Sequence, residues 1–374
     1  MSNFKDVLMV SKPVAPPWQD SNKNLTKNII SFVNNVRFHI LTPKGYQFNK
    51  DNVVSEDIYQ STGDYAPAIQ QNLQALFYLI TVNKEIDLFH FFFTPNPKTS
   101  LVLKHLTKFK NRPCIQTITS TPKIYKDLKN LFFADKIVTL SDFNKKNLED
   151  KGLNNIVRIY PGINLQELDN YDTNDSTFKE ENNLQNNILI LFAGDYEFSG
   201  ANKTILESIP PIVSKYPQAR FIFACRNKTE KAINIESELH QYAIDLGIEK
   251  YVMFIGTATD MLKVIRSIDI CLFPVKSLYA KMDIPLVLLE CMAYSKPLII
   301  TDMKPLNEIM IGDIGFKVPV NNKDELIKST LDLLNSEDLR IIKGNNARKT
   351  VENHFNMEKL AVEYEKLYQE ILNE

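Results

Sequence analysis

Residues 282–290, Met-Asp-Ile-Pro-Leu-Val-Leu-Leu-Glu, set two carboxylates and a proline in an otherwise apolar run. Pro285 suits the first turn of a helix, where its missing N–H removes no intrahelical bond. A helix opened by Pro285 and Leu286 turns free backbone N–H groups and about half a positive charge toward an anion such as a diphosphate. Glu290 follows inside that helix, between Leu289 and Cys291, and reads either as a ligand-binding carboxylate or as one on the helix surface. Asp283, ahead of the proline, either meets a polar ligand or caps the helix. Arg226 and Lys228 follow the apolar run 220–224, and Lys281 directly precedes the 282–290 segment. Arg226 with Lys281 is the pair expected to neutralise a phosphate; solvated surface residues are the alternative. His90, inside the apolar run 86–93, is either a site residue or a histidine satisfied in the core.

These residues need elements to hold them. In the first half, apolar runs at 7–10, 37–41, 86–93, 114–118, 136–140 and 156–160 alternate with helical patterns near 21–34, 67–83, 98–109, 122–133 and 142–150. In the second half, runs at 188–193, 220–224, 251–255, 268–273, 297–301 and 315–319 repeat the rhythm. Strands apolar on both faces, alternating with helices, imply parallel sheets covered on each side. The polar, Asn-rich stretch 165–187 has no apolar period and marks a boundary. The expected organisation is an α/β chain of two doubly wound, Rossmann-like domains, 1–170 and 186–356. A last helix over 357–374 is expected to pack back on the first domain. Ligands in such sheets bind at the carboxyl ends of the strands, and the cleft between two such domains is the default site.

Composition narrows the partners. With 374 residues, 44% hydrophobic and 24% charged, the chain has an ordinary globular balance. A net charge of −1 supplies no field to attract nucleic acid, so none is expected as partner. Cys114, Cys225, Cys271 and Cys291 are scattered through apolar runs without a Cys-x-x-Cys pair, which suits buried free thiols in a reducing compartment. No signal peptide opens the sequence, and no apolar run is long enough to span a bilayer. A cytoplasmic protein, at most peripheral at the inner membrane face, is expected.

Residues 269–308 resemble the donor-binding segment of retaining family-4 glycosyltransferases. In that family, Glu-x7-Glu within a pattern like E-x-F-G-L-x-x-x-E-A-M-A is followed by K/R-P-V and a downstream Glu. Here Pro285 to Ala293, then Lys296-Pro297, then Glu308, keep that order. The resemblance reaches the end of the chain and, more weakly, the first domain. It implies a GT-B fold, two Rossmann-like domains facing across a cleft, and metal-free transfer of a sugar from a UDP- or GDP-sugar with retention of configuration. The donor is a substrate, so no cofactor is implied; the acceptor would be a glycan, lipid-linked or other hydroxyl. By resemblance, Glu290 would hold the ribose hydroxyls of the nucleotide.

The departures are as informative. Met282 stands at the first Glu of the motif, which in the family contacts the transferred sugar, so either Asp283 beside it takes over that role or sugar recognition differs. Where the family has G-R-x-x-x-x-K-G after the first strand of the second domain, Gly194 is kept but both cations are absent over Gly194–Ala201. A carboxylate about 4 Å from a phosphate costs on the order of 4 kcal/mol at an effective dielectric of 20. Asp195 and Glu197 must therefore point away from a bound donor, or no donor binds here. His90 matches the first position of the family's H-x-H, and Phe92 replaces the second. A basic run from Lys98 to Lys129, interrupted only by the acid Asp127, is either a solvated face or a contact for anionic lipid. A binding scaffold without catalysis is the main rival to a transferase, and a nucleotide-sugar epimerase the lesser one.

Overall fold

The computed structural model describes residues 4–60, 69–82, 85–120, 127–171, 176–279 and 281–373, in two compact units. Unit 1 takes Met1–Asn164, Lys281–Asp283 and Asn356–Glu374; unit 2 takes Leu165–Ala280 and Ile284–Phe355. The division falls at 164/165, so the polar stretch belongs to unit 2.

Unit 1 contains strands β1 (Lys5–Val10), β2 (Val36–Pro43), β3 (Val53–Tyr59), β4 (Leu88–Phe92), β5 (Cys114–Ile118), β6 (Lys136–Thr139) and β7 (Ile156–Arg158). Its helices are α1 (Ser21–Phe32), α2 (Ile69–Thr81), α3 (Pro97–Lys110), α4 (Leu128–Leu131) and α5 (Asp142–Glu149). Of the helix expected over 122–133, residues 122–126 lie outside the described residues. Unit 2 contains α6 (Leu165–Asp169), α7 (Phe178–Glu181), β8 (Ile188–Phe192), α8 (Asn202–Val213), β9 (Ala219–Phe223), α9 (Glu230–Asp245), β10 (Val252–Phe254), α10 (Met261–Ser267) and β11 (Ile270–Phe273). It continues through α11 (Leu286–Ala293), β12 (Leu298–Thr301), β13 (Gly315–Val318), α12 (Lys323–Asn335) and α13 (Glu337–His354). The closing helix α14 (Met357–Asn373) belongs to unit 1, where it packs on α1.

Both sheets are parallel, in the orders β3-β2-β1-β4-β5-β6-β7 and β10-β9-β8-β11-β12-β13. The order reverses between β1 and β4 and again between β8 and β11. These are the topological switch points, and the loops leaving the carboxyl ends of the two strands diverge there to leave a crevice. Alternation along β4 assigns its side chains: Phe89 and Phe91 enter the core under α2 and α3, while His90 faces α14. Each fully buried phenylalanine of this kind contributes about 1.5–3 kcal/mol.

β3 is absent from the apolar runs of the sequence. Its centre is Ser55-Glu56-Asp57, and an edge strand needs no second apolar face. Glu56 is nevertheless buried, because His39 Nδ1 lies 2.7 Å from its carboxylate while His39 Nε2 reaches Asp6 at 2.8 Å. The four cysteines are buried and form no disulfide. Among the described residues no helix is long and apolar enough to cross a membrane.

Candidate functional site

The switch point of unit 2 lies between the loops that follow β8 and β11. The first leads into α8 and the second into α11. Side chains cap α7, α9, α10, α12 and α13 (Thr177, Thr229, Asp260, Asn322 and Ser336), satisfying N-terminal amides that a helix leaves open. The N-cap residues of α8 and α11 are Ala201 and Pro285, and neither helix has a side-chain cap. Pro285 itself occupies the N-cap position in an extended conformation, and Leu286 is the first helical residue. The two helices that begin at the switch point thus keep their amides and positive dipole ends for another partner.

Glu290 lies just over one turn into α11. Its neighbours Leu289 and Cys291 are fully buried, and Glu290 itself is only partly exposed. Burial lifts its carboxyl to about 7, with the nearby Glu167 adding to the rise. No side-chain hydrogen bond satisfies it among the described residues. A half-buried acid with two unused oxygens suits a ligand carrying paired hydroxyls.

The loop after β8 disposes of its own charges. Asp195 Oδ1 accepts from the backbone N–H of Glu197 at 2.8 Å and of Phe198 at 2.7 Å, so that carboxylate folds onto its own turn. Glu197 accepts from the Thr229 hydroxyl and faces Lys231 at 4.0 Å. Gly194 is required sterically, since a Cβ there would stand 2.1 Å from the Phe192 ring. Arg226 and Lys228 are half-buried in the turn between β9 and α9, at the same carboxyl edge.

Sequence reading missed Lys276. Its backbone N–H donates to Ser199 O at 2.7 Å, tying the β11 loop to the β8 loop. Its aliphatic stem fills the space beside Gly200, where a Cβ would lie 3.0–3.2 Å from Lys276 carbons and φ is +65°. The ammonium is exposed and has no ion pair among the described residues. The loop that lacks cations of its own is therefore packed against one supplied by the neighbouring loop. The sequence signal was a lysine just after the Pro274-containing end of β11, opposite a glycine in the altered loop.

In unit 1 two readings change. His90 is fully buried, with Nδ1 2.7 Å from the Tyr368 hydroxyl and Nε2 2.7 Å from Thr117 Oγ1. Burial lowers its pKa to about 3, so it stays neutral with both nitrogens committed. It joins β4 to β5 and α14 in the manner of a satisfied core histidine, the second of its two readings, rather than of a site residue. Asp283 is also buried, but it does not cap α11. Its Oδ2 accepts from Ser141 Oγ at 2.7 Å and Asn144 Nδ2 at 2.6 Å, and its N–H donates to Thr119 O at 3.3 Å. Ser141 also caps α5. These bonds pin the 281–283 segment within unit 1 and engage one carboxylate oxygen. Lys281 goes with that segment, and among the described residues of unit 2 Arg226, Lys228 and Lys276 stand at the carboxyl edge.

Residues 187–336 match the family described as "Glycosyl transferases group 1". An uncharacterized glycosyltransferase of Methanocaldococcus jannaschii is 24% identical over 360 residues, covering 92% of this chain and 93% of its own. The N-acetyl-alpha-D-glucosaminyl L-malate synthase of Bacillus anthracis is 30% identical over 135 residues, 36% of this chain and 34% of that protein. Among solved structures, Anabaena HepE, crystallised in complex with UDP and with UDP-glucose, aligns at 14% identity. The UDP complex has a TM-score of 0.76 and covers 98% of this chain and 100% of that one. The two-sheet fold is that of GT-B glycosyltransferases.

Proposed function

We propose, for a chain that is a glycosyltransferase with a group 1 domain over residues 187–336, that unit 2 binds a UDP-sugar and the sugar passes to a glycan or lipid-linked hydroxyl with retention of configuration. One observation carries the donor reading. α11 begins without a side-chain cap, and just over a turn later holds a half-buried Glu290 with no hydrogen bond among the described residues. The first feature suits a diphosphate and the second the ribose hydroxyls.

Glycosyl transfer passes through an oxocarbenium-like state while negative charge grows on the departing diphosphate. The amides of α8 and α11, with Lys276, Arg226 and Lys228, are the groups of unit 2 that stabilise that charge. The acceptor oxygen forms its bond on the face the diphosphate leaves, and a phosphate oxygen takes its proton. Glu290 contributes binding and orientation only.

A thermal-shift panel of UDP, GDP, ADP, CMP and dTDP tests the donor site. UDP at 100 times its dissociation constant adds about 2.7 kcal/mol, enough to raise the midpoint by a few degrees. A response to GDP alone would reassign the base, and silence toward all five at millimolar concentration would remove the donor reading. Lys276→Ala is expected to weaken UDP about tenfold, roughly 1.4 kcal/mol, while affinity for uridine stays unchanged. Equal loss for uridine and UDP would show that Lys276 acts on loop structure rather than on phosphate.

A further inference from the structure

Phe198, on the loop after β8, and Tyr279, on the loop after β11, meet edge to face with ring centroids 5.2 Å apart and planes at 77°. They are 40% and 39% exposed, and no other described phenylalanine or tyrosine of unit 2 is as open. The rings of Phe192, Phe221, Phe223 and Phe273, on strands of the same sheet, are wholly buried. Hydrogen bonds in both loops hold the exposed pair before any ligand arrives. The Phe198 N–H donates to Asp195 Oδ1 at 2.7 Å, and the Ser199 hydroxyl donates to Asp195 O. Ser199 O accepts from the Lys276 N–H at 2.7 Å, and the Tyr279 N–H donates to Ser277 Oγ at 3.0 Å. The loops are thus tied to each other within three residues of either ring.

We infer that the Phe198–Tyr279 pair is the stacking platform for the pyranose ring of the donor and helps to set which sugar is accepted. The inference rests on the donor reading of unit 2. The face of an aromatic ring is electron-rich. The C–H groups on one side of a pyranose carry partial positive charge, so a sugar ring lies flat on an aromatic one while its hydroxyls point outward to polar groups. Position selects the sugar rather than the nucleotide. Both rings precede the uncapped helix starts, Phe198 three residues before Ala201 and Tyr279 six before Pro285, whereas Glu290 follows the second of them. With the diphosphate at the helix starts and the ribose at Glu290, the group left on the loop side is the sugar. Because the loops already fix the rings, little side-chain freedom is lost when a sugar stacks on them.

Calorimetric titration with UDP, UDP-glucose, UDP-galactose and UDP-N-acetylglucosamine tests the assignment. Phe198→Leu/Tyr279→Leu keeps apolar bulk and removes both aromatic faces. It is expected to bind at least one of the three UDP-sugars about tenfold more weakly than the wild type does, with UDP affinity held within about twofold. Phe198→Tyr/Tyr279→Phe keeps both faces and is expected to bind that sugar as the wild type does. A leucine variant that loses UDP and every UDP-sugar equally would make the pair part of the loop fold. One that loses none of them would leave the rings without a ligand, and a Tyr/Phe exchange as weak as the leucine variant would remove the aromatic faces from the explanation. Each of these three results overturns the assignment while the donor site stands. A wild type that binds none of the four ligands would remove the donor reading, and the assignment with it.

Discussion

Glu290→Gln is expected to lower kcat/KM at least about 100-fold and abolish the UDP-induced thermal shift, yet raise the midpoint of the ligand-free protein at pH 8. The two effects share one cause. Burial and Glu167 raise the carboxyl from 4.5 to about 7, so the folded protein resists a charge that the unfolded chain accepts freely. Stability is therefore lost as pH rises from about 4.5 to about 7 and stays lost above, by up to about 3 kcal/mol. Glutamine removes that penalty at pH 8 and gains nothing at pH 4. Two hydrogen bonds from ribose hydroxyls to a charged acceptor are worth roughly 1.5–3 kcal/mol each, and glutamine offers only one neutral acceptor oxygen. UDP affinity of the wild type should rise with pH through about 7 as the carboxylate forms, while that of the variant stays flat. Parallel melting curves and UDP titrations at pH 5.5 and 8 read both effects. A variant destabilised at pH 8 with its UDP shift intact would make Glu290 a structural residue.

The alternation of apolar runs and helical periods shows nearly every strand in the sequence, because both faces of a parallel strand are buried and the run stays apolar. β3 escapes by being an edge strand whose buried Glu56 is satisfied by His39, a partner that periodicity cannot reveal. Glu290 was legible because an acid between Leu289 and Cys291 needs a reason to be there. Asp283 was not: Ser141 and Asn144 lie 142 and 139 residues away, and only the fold brings them to its carboxylate. The same holds for Lys276, whose stem packs on Gly200 from a different loop. α2 shows a limit of another kind. It has apolar residues on both sides, and a sequence stripe reads alike whether it faces the core or water. Leu79 is buried and Phe77 is not, and that choice is made by β3 and the core cluster beneath the helix rather than by the helix itself.

His90→Leu is expected to destabilise the protein by about 2–4 kcal/mol at pH 7.5 while leaving kcat of the folded fraction within about twofold. Leucine strands the hydroxyls of Thr117 and Tyr368 in the core, and each buried polar group left without its partner costs about 1–3 kcal/mol, less what local repacking recovers. A pH series separates this role from catalysis. The unfolded chain takes up a proton near 6.5, whereas the folded ring resists it down to about 3. The wild type therefore carries stability at pH 7.5 that it loses as pH falls below about 6.5, roughly 2 kcal/mol by pH 5. The leucine variant lacks that titration, so the stability gap between the two proteins should narrow by about that amount between pH 7.5 and 5. Denaturant melts at the two pH values measure the gap directly. A gap that stays constant, together with a kcat reduced by orders of magnitude at pH 7.5, would return His90 to the reaction. With both ring nitrogens held at 2.7 Å by hydroxyls on β5 and α14, the imidazole has no lone pair or N–H left for a substrate.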